Sequence, residues 1–203
     1  MDTVRVHRGR RLGCAFILAL TACLFSLPVE ATRVRPINLE EMTQRADRIF
    51  SGRCVDVRVI EDSQVGSRVT EATFEVDQAV KGALGDTVTI RLHGGPATTG
   101  GSGSDVVGQP RFEPGEEVIL FLYGESELGL SAPVGLGQGK FTVFVDKHGR
   151  KLALNEFGNK TLFHKLSDNA RNRLIQTGLE SDLEEAKGIA SQDLLRFVES
   201  LQR

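Results

Sequence analysis

The sequence predicts a mainly β domain that forms a small, partly closed barrel and carries helices at its C-terminal end. Apolar and polar residues alternate in several short runs separated by glycine turns, a pattern typical of half-buried strands. In about the last 40 residues, apolar positions recur at helical spacing instead. A basic and then apolar segment precedes the domain and is not expected to be part of the fold.

Residues 1–31 have the layout of a secretory signal peptide. Arginines between Arg5 and Arg11 are followed by an apolar run at 12–27. That run is shorter than the roughly 20 residues of a membrane-spanning helix. Val29 and Ala31 fit a small-residue cleavage site. The sequence therefore predicts cleavage after Ala31 and a secreted or periplasmic protein.

A second processing route stays open at Cys23. The residues Leu20-Thr-Ala-Cys23 fit a bacterial lipobox, in which the cysteine is lipidated and becomes the first residue. Residues 24–29, which would follow, are mostly apolar rather than a polar tether, and this favours soluble release. The alternative is a protein that is lipid-anchored to the cell envelope, with membrane contact only through Cys23.

Composition narrows the classes of partner. Residues 1–31 contain four of the 25 Lys and Arg and two of the 27 Asp and Glu. Their removal leaves 21 basic against 25 acidic residues, a net charge of −4. This balance gives no electrostatic footprint for nucleic acid. Cys54 is then the only cysteine, so no internal disulfide can form. The domain must be held together by its apolar core.

A short helix is expected before the first strand. Asn38 and Glu41 form a capping pattern, in which the two side chains satisfy free backbone N–H groups at a helix start. The helix should run to Ala46, with Leu39 and Met42 facing inward.

Three alternating runs predict half-buried strands at residues 54–60, 69–77 and 87–92. Residues 94–110 contain six glycines and two prolines, so a long flexible loop is expected there. The continuous apolar run Val118–Leu122 predicts a central strand covered on both faces. The expected apolar faces of the first three strands consist of Val55, Val57, Val59, Ala72, Phe74, Val76, Val88, Ile90 and Leu92.

Further strand and turn signals follow. Residues 141–145 and 151–154 predict the two arms of a hairpin, and 128–130 predict an additional short strand. Residues 135–140 superficially match a phosphate-binding loop, but an alternating strand follows them instead of a helix. A tight turn is therefore expected there.

The first C-terminal helix is expected to be short. Ser167 can cap it and Gly178 can end it, with Ala170, Leu174 and Ile175 as its apolar residues. These signals are local and independent of the strands.

A second C-terminal helix is expected from the capping pattern Ser181–Glu184 to the end of the chain. Gly188 should weaken or bend it near its middle. Its apolar face is expected to pack on the barrel or sheet rather than to bind a partner. That face consists of Leu183, Ala186, Ala190, Leu194, Val198 and Leu201.

Three segments resemble a group of bacterial exported proteins of uncharacterised function. They are Ala46–Gly52, the turn 80–86 with its Val80-Lys-Gly82 and Gly85-Asp86, and Phe112–Leu122. The order of elements is similar to the netrin/TIMP-like version of the OB-fold. The resemblance covers roughly residues 44–145. Together with the strand and helix patterns, we expect an OB-like domain over residues 32–165, with the helical segment 166–203 packed on it.

One property of that family is not expected to carry over. In the metalloproteinase inhibitors of that family, an N-terminal cysteine chelates the zinc of the target protease. Here the first residue would be Thr32, or an acylated Cys23, and neither can chelate zinc. The resemblance therefore speaks to fold rather than to function.

Side chains that carry chemistry are scattered along the chain. His93, His148 and His164 have no metal-ligand spacing. Glu116 and Glu117 should point to opposite faces of a strand and cannot serve one centre together. No catalytic, cofactor-binding or metal-ligating residue is therefore predicted.

Three other features have ordinary structural interpretations. Glu113 extends the two glutamates to an acidic cluster, which is expected to be a solvated turn. Cys54 is expected to be a small core residue rather than a reactive thiol. Asn159-Lys-Thr161 fits the glycosylation sequon, but such a triplet often arises by chance.

The expected function is that of an exported, non-enzymatic interaction or ligand-binding module. A mobile loop on a stable β scaffold is where binding residues usually lie. The partner would be a protein or a small ligand outside the cytoplasm. Two alternatives stay open: an envelope-anchored structural lipoprotein, and a hydrolase whose site is assembled only in the fold. The candidate binding surface consists of Arg91, His93, Ser102, Asp105 and Arg111.

Overall fold

The computed structural model describes residues 35–95, 108–179 and 188–203. Within these residues the chain forms one antiparallel sheet of seven strands and three α-helices. The strands are β1 (Arg48–Asp62), β2 (Ser67–Lys81), β3 (Thr87–His93), β4 (Glu117–Leu122), β5 (Lys140–Val145), β6 (Lys151–Asn155) and β7 (Ile189–Ala190). The helices are α1 (Leu39–Arg45), α2 (Asp168–Thr177) and α3 (Ser191–Leu201), with a 3-10 helix at Leu136–Gln138. The strand order is β3-β2-β1-β4-β5-β6-β7. The mainly β prediction with C-terminal helices is confirmed.

Helix α1 begins and ends where the sequence predicts. The Asn38 side chain accepts the Glu41 N–H at 2.8 Å, and the Ala46 N–H donates to the Met42 carbonyl. Leu39 and Met42 are fully buried. The N-cap at Asn38 and the inward face are confirmed, whereas the Glu41 carboxylate pairs with Arg35 and Arg45.

Helix α2 is also confirmed. The Ser167 hydroxyl accepts the Ala170 N–H at 3.1 Å, and Gly178 ends the helix with a φ of 74°, a left-handed value that glycine adopts without a Cβ clash. Ala170 and Leu174 are buried, whereas Ile175 is 51% exposed. The placement of Ile175 on the apolar face is therefore wrong.

Strand β1 contains a bulge that the alternating pattern does not show. Cys54 pairs with Phe74 and Asp56 pairs with Thr73 across the β1–β2 ladder, which leaves Val55 as an extra residue. A bulge turns one side chain out of the regular alternation. Val55 is consequently exposed, and its placement with the other valines is wrong.

Strand β4 separates two apolar clusters. Ile119 and Phe121 belong to one cluster, and Val118, Leu120 and Leu122 belong to the other. All five are essentially fully buried, and burial of each such side chain contributes about 1.5–3 kcal/mol. The prediction of a central strand covered on both faces is confirmed.

The first cluster, the helix-side core, joins the strands to all three described helices. Leu39 and Met42 of α1, Leu174 of α2, and Phe197 and Val198 of α3 pack there with residues of β4 and β5. The apolar face of the last helix therefore packs on the sheet, as predicted.

The second cluster, the barrel-side core, is formed by β1 to β4 and by Phe112. The Phe74 ring lies edge-on to two others, with centroids 5.7 Å from Phe50 and 5.2 Å from Phe112. Cys54 is fully buried in this cluster. Its prediction as a small core residue is confirmed.

Residues 123–134, the bridging segment, contact two strands that are not neighbours in the sheet. The Ser131 N–H donates to the Arg91 carbonyl of β3 at 2.8 Å, and Pro133 pairs with Leu122 at the end of β4. The sheet itself is not closed among the described residues. A partly closed barrel is compatible with this arrangement.

The short strand expected at 128–130 is wrong. These residues form a turn in which the Gly129 N–H donates to the Ser126 carbonyl and the Leu130 N–H donates to the Ser126 hydroxyl. Leu128 is exposed. Local side-chain bonding by a serine competes with strand pairing here.

The single helix expected from residue 181 onwards is also wrong. Ile189 and Ala190 form strand β7 against β6, and α3 begins only at Ser191. Gly188 explains the change, because its φ of 132° is incompatible with a helix and accessible to glycine. Residues 180–187, with the expected capping pattern, lie outside the described residues.

The β5–β6 hairpin and the turn before it are confirmed. The Asp146 carboxylate accepts the Arg150 and His148 N–H groups at 2.9 and 2.8 Å. Hydrogen bonding from Arg150, first through its backbone, lowers the pKa of Asp146 to about 2. Gly135 opens the 3-10 helix that leads into β5, so the phosphate-loop interpretation is excluded there.

Candidate functional site

Arg91, a predicted binding residue, is held by three partners. Its guanidinium donates to the carboxylate of Asp62, to that of Glu71 at 3.2 Å, and to the Leu128 carbonyl at 3.0 Å. These partners lie at the end of β1, on β2 and in the bridging segment. Arg91 therefore ties neighbouring elements together around the end of β3.

The Asp62 carboxylate is organised by the turn between β1 and β2. The Val65 and Gln64 N–H groups donate to it at 3.0 and 2.8 Å. These bonds, Val65 first, hold the pKa of Asp62 below its ordinary value, and Arg91 adds to the effect. Asp62 consequently keeps its charge opposite Arg91 at neutral pH.

His93 is exposed at the end of β3. Its Nε2 lies 3.1 Å from the Ser67 hydroxyl oxygen, and its carbonyl accepts the Gln109 side-chain N–H at 3.0 Å. The Gly94 N–H donates to the Arg68 carbonyl at 2.7 Å. Residues on both sides of segment 96–107 are thus bonded to the same end of the sheet.

We call residues 91–95 and 108–109 the rim. The rim contains two of the five predicted binding residues, Arg91 and His93. These two share a face of β3 because they are two positions apart. Arg111 lies just beyond, and its carbonyl accepts a hydrogen bond from β5. Ser102 and Asp105, like Cys23, lie outside the described residues, and their roles stay predictions.

A buried ion pair lies next to Arg111. Lys140 Nζ is 2.7 and 2.9 Å from the two carboxylate oxygens of Glu116 and donates to the Arg111 carbonyl at 2.5 Å. The Thr142 hydroxyl donates to Glu116 at 2.7 Å, and Nζ lies 4.9 Å from the Phe112 ring centroid. The Lys140 and Glu116 side chains are 7% and 16% exposed. The expected solvated turn is therefore wrong for Glu116.

The Cys54 thiol shares this environment. Burial raises its pKa above the ordinary value, and the nearby charge of Glu116 adds to the rise. A protonated thiol is a poor nucleophile and a poor metal ligand. The group is suited to packing rather than to reaction.

Glu117 points to the opposite face and forms a second, more open cluster, the cleft triad. Arg53 donates to one oxygen of Glu117, and Lys151 Nζ lies 2.7 Å from the other. Arg53 also donates to the Gly115 carbonyl at 3.1 Å. The hydrogen bond from Lys151 is the main cause that lowers the pKa of Glu117, with a further contribution from Arg53.

A cleft of about 330 Å³ separates this triad from the first turn of α3. Its size is at the lower end of small-molecule sites. The cleft crosses the sheet from β2 to β6. Its other principal lining residues are Asp77, Gln78, Ile119, Val143, Ser191, Gln192 and Leu195.

A second groove, of about 540 Å³, lies beside the start of α1. His164 and Lys165 line it together with Glu41. The Glu41 carboxylate is paired with Arg35 at 3.2 Å and with Arg45 at 2.5 Å. The groove thus combines one histidine with a carboxylate that two arginines already neutralise.

The three histidines that the structure describes lie at different places in the fold. His93 is at the rim, His148 is in the β5–β6 turn, and His164 is on the second groove. Within the part of the chain that the structure describes, no three His, Cys, Asp or Glu side chains are grouped to hold a metal ion.

Asn159 of the glycosylation triplet is used within the fold. Its Oδ1 accepts the Asn155 N–H at 2.9 Å, and its Nδ2 donates to the Ala153 carbonyl at 2.9 Å. Its φ of 58° is left-handed, a conformation that asparagine tolerates. These bonds give the asparagine a structural role.

Sequence reasoning did not identify the cations that pair with the two glutamates. Alternation predicts opposite faces for Glu116 and Glu117, but the partners depend on the register of strands distant in sequence. The β1–β4 register places Arg53 opposite Glu117. A lysine at the start of an apolar strand, Lys140, was the one available signal for the buried pair.

Comparison with known proteins assigns no function to these residues. No protein-family model, curated protein or solved structure matches the chain. Among residues 35–95, 108–179 and 188–203, no helix has both the length and the apolar character to cross a membrane.

Proposed function

We propose that the protein is an exported, non-enzymatic binding module that recognises a protein or a small ligand through its rim. The observation that carries the proposal is that residues on both sides of segment 96–107, Gly94 and Gln109, are hydrogen-bonded to the same end of the sheet. Binding residues are commonly found on loops that a rigid scaffold positions.

Close packing at the first attachment point supports a fixed scaffold. A Cβ added at Gly95 would lie 2.8 Å from the Thr70 hydroxyl and 3.0 Å from a Val59 methyl. The Thr70 hydroxyl also donates to the Gly94 carbonyl at 2.8 Å. The chain therefore leaves β3 in a defined direction.

The composition of the attached segment supports recognition by hydrogen bonding. Residues 96–107 include glycines, threonines, Ser102 and Asp105. Small hydroxyl residues and glycine supply adaptable hydrogen bonds in binding loops. Arg91 and His93 add a guanidinium and an imidazole at the rim.

Photocrosslinking tests the position of the binding surface. A photoreactive amino acid at Ser102 is expected to crosslink one defined partner in living cells of the native organism. The same amino acid at Lys147, in the exposed β5–β6 turn, is the matched control and should give no such product. Equal products from both positions would place binding elsewhere.

Deletion of residues 97–106 then tests the function with the purified partner. Shortening a loop changes the entropic free-energy cost of loop closure by only about 1 kcal/mol or less. The deletion variant should therefore still fold, which circular dichroism checks. The deletion variant is expected to lose at least about tenfold in affinity. Unchanged affinity in the folded variant would contradict the proposal.

The location is tested by the mass of the processed protein. A chain that begins at Thr32 is expected for the secreted or periplasmic product. Acyl chains on Cys23 would instead make the protein a lipid-anchored module. A retained residue 1 would contradict export by either route.

A further inference from the structure

We propose that the partner contains an extended polypeptide segment that pairs, as an added strand, with an open edge of β1. The inference rests on the proposed function, because it names the class of partner that binds beside the rim. We call residues 57–61 of β1 the open edge. Its backbone groups, its side chains and its contact with the rim together favour this class of partner.

Strand β1 is longer than the strand beside it. β4 pairs with β1 only over Arg48–Arg53. The Cys54 backbone is then bonded to Gly115 and Glu116, just before β4 begins. β1 itself continues to Asp62. Within the part of the chain that the structure describes, no strand pairs with β1 beyond Cys54 on this side.

The hydrogen bonds of β2 show which of its residues face β3. The Gly94 N–H donates to the Arg68 carbonyl, and the Val76 N–H donates to the Asp86 carbonyl. Gly94 and Asp86 flank the two ends of β3. Successive residues of a strand direct their backbone groups to opposite sides of the strand. From residue 68 to residue 76, the even-numbered residues of β2 therefore bond towards β3, and the odd-numbered residues bond towards β1.

The register between β1 and β2 then determines which groups lie on the open edge. Ile60 pairs with Val69 and Arg58 pairs with Glu71, so these two β1 residues direct their backbone groups to β2. The residues between and beside them direct theirs to the opposite side, past the point where β4 has ended. The open edge thus presents the N–H and C=O groups of three residues, which are Val57, Val59 and Glu61.

This row of backbone groups favours a particular chemistry in the partner. An unpaired strand edge is a template for an added strand. Alternate residues of a strand are about 7 Å apart, and a second extended chain presents its own N–H and C=O groups at the same spacing. A small ligand can satisfy only part of such a row. The open edge therefore favours a protein partner over a small ligand.

The side chains of the open edge indicate what the added strand should carry. Val57 packs against the barrel-side core, and Val59 lies on the same face, two positions away. A Cβ added at Gly95 of the rim would lie 3.0 Å from a Val59 methyl, so the open edge is continuous with the rim. Directly opposite side chains of paired strands contact each other. An added strand should therefore carry apolar side chains opposite the two valines.

Charged side chains beside the open edge are paired within the chain. Arg58 Nε lies 2.6 Å from the Asp56 carboxylate, and Arg68 Nε lies 2.6 Å from the Glu61 carboxylate. Each pair contains one cation and one anion. The open edge therefore selects its partner by backbone pairing and apolar contact rather than by net charge.

A second copy of the chain fits this edge less well. Antiparallel pairing of two copies uses all three residues of the open edge when it is centred on Val59. That register places Asp56 opposite Asp62 of the second copy, and like charges directly opposite each other are destabilising. A segment of another protein is therefore the favoured occupant.

Amide hydrogen exchange of the isotope-labelled processed protein, followed by NMR, tests whether the edge is open. The N–H groups of Val57, Val59 and Glu61 are expected to exchange rapidly. The N–H groups of Arg58 and Ile60, which face β2, should exchange slowly and are the internal controls. Slow exchange at all five positions in dilute protein would mean that the chain already covers the edge, and protection that rises with protein concentration would indicate a second copy. Either result would overturn the proposal.

A synthetic strand tests pairing directly. The probe is the N-acetylated, C-amidated peptide Lys-Thr-Val-Thr-Val-Thr-Lys, whose valines match the apolar face. At millimolar concentration it should slow the exchange of the Val57, Val59 and Glu61 N–H groups in a saturable manner. N-methylation of its valines removes the N–H groups that face the edge and should weaken binding at least about tenfold. N-methylation of its threonines, whose N–H groups face away, is the control and should change binding little.

Outcomes with the probe are decisive in both directions. No saturable protection by the probe, or equal weakening by the two methylated peptides, would overturn the proposal. Both comparisons use the wild-type protein, so they do not depend on the folding of a variant.

A proline in the edge tests the same point from the protein side. Val59→Pro removes one N–H from the open edge but none from the pairing with β2, and proline is tolerated at such edge positions. It should weaken probe binding at least about tenfold. Thr89→Pro is the matched control, because the Thr89 N–H on β3 also points away from β2 in this register. Equal weakening by the two variants would contradict binding at β1.

Exchange in the complex with the partner that the Ser102 crosslink identifies separates this inference from the proposed function. Protection of Val57, Val59 and Glu61 by that partner is the expected result. If deletion of residues 97–106 abolishes partner binding while these N–H groups stay unprotected in the wild-type complex, the proposed function holds and the added strand is wrong. If Val59→Pro abolishes partner binding and the deletion does not, the open edge holds and the loop assignment is wrong.

Discussion

Glu116 and Glu117 are neighbours in sequence, yet they lie in opposite environments. Glu116 faces the barrel-side core, where Lys140 and Thr142 satisfy its carboxylate in a nearly dry setting. Glu117 faces the cleft, where Arg53 and Lys151 bind it while remaining about half exposed to water. One residue type at adjacent positions thus forms a structural ion pair on one face and an open charge cluster on the other.

The difference follows from the cost of removing charges from water. A buried ion pair must recover a desolvation penalty of several kcal/mol per ion, so its geometry has to be complete. Exposed pairs contribute about 0–1 kcal/mol because water and salt already screen them. Full satisfaction of Lys140 therefore indicates a structural role, whereas the cleft cations bind Glu117 while about half of each side chain stays exposed.

The largest expected effect is on the buried side. Lys140→Met leaves the Glu116 carboxylate buried without its cation, and loss of one partner of a buried pair costs about 3–5 kcal/mol. Urea denaturation at neutral pH measures the change in the free energy of unfolding. Lys151→Met, the corresponding change in the cleft, should cost less than about 1 kcal/mol.

A double variant separates pairing from packing. Glu116→Leu combined with Lys140→Met replaces the ion pair with apolar groups, which is often neutral or stabilising. It should recover most of the stability that the single variant loses. A double variant as unstable as Lys140→Met would contradict the contrast between the Glu116 and Glu117 faces. Equal losses of unfolding free energy for Lys140→Met and Lys151→Met would contradict it as well.

An intermediate effect is expected at Thr142. Thr142→Val removes the hydroxyl donor to Glu116, and a hydrogen bond to a charged group contributes about 1.5–3 kcal/mol. Thr89→Val is the matched control, because the Thr89 hydroxyl bonds to that of Thr73 on an exposed surface at 2.9 Å. The control should change the urea midpoint little. A larger loss at Thr89 than at Thr142 would contradict the prediction.

Elements with local signals could be predicted from the sequence. The capping pattern at Asn38 and the apolar run Val118–Leu122 depend on residues within one turn or one strand, and both match the structure. The hairpin around Asp146 also has its signal in adjacent residues. In these cases local preference and tertiary packing agree.

Features that depend on distant pairing could not be predicted. Val55 is exposed because β2 pairs with one residue fewer than β1 supplies, and Ile189 joins a strand because β6 offers it a partner. The same limit applies to the site, since Lys140 and Lys151 find their glutamates through strand register. The likeness to netrin/TIMP-like modules stays a prediction.

The smallest expected effect is the pH dependence that Glu117 adds to stability. Its pKa is lowered below the ordinary 4.5 in the folded protein, chiefly by Lys151. A lowered folded pKa stabilises the protein above the unfolded pKa, and this contribution is lost as the pH falls through the folded value. Glu117→Gln lacks the contribution, so the difference in unfolding free energy between wild type and variant should be under about 1 kcal/mol near neutral pH.

That difference should shrink as the pH falls from about 5 towards 3. Urea denaturation of both proteins across this range measures it, and subtraction removes the titration of all other carboxylates. If the wild type instead became more stable relative to the variant as the pH falls, the cleft cations would not stabilise the Glu117 anion. The contrast between the Glu116 and Glu117 environments would then be wrong for Glu117.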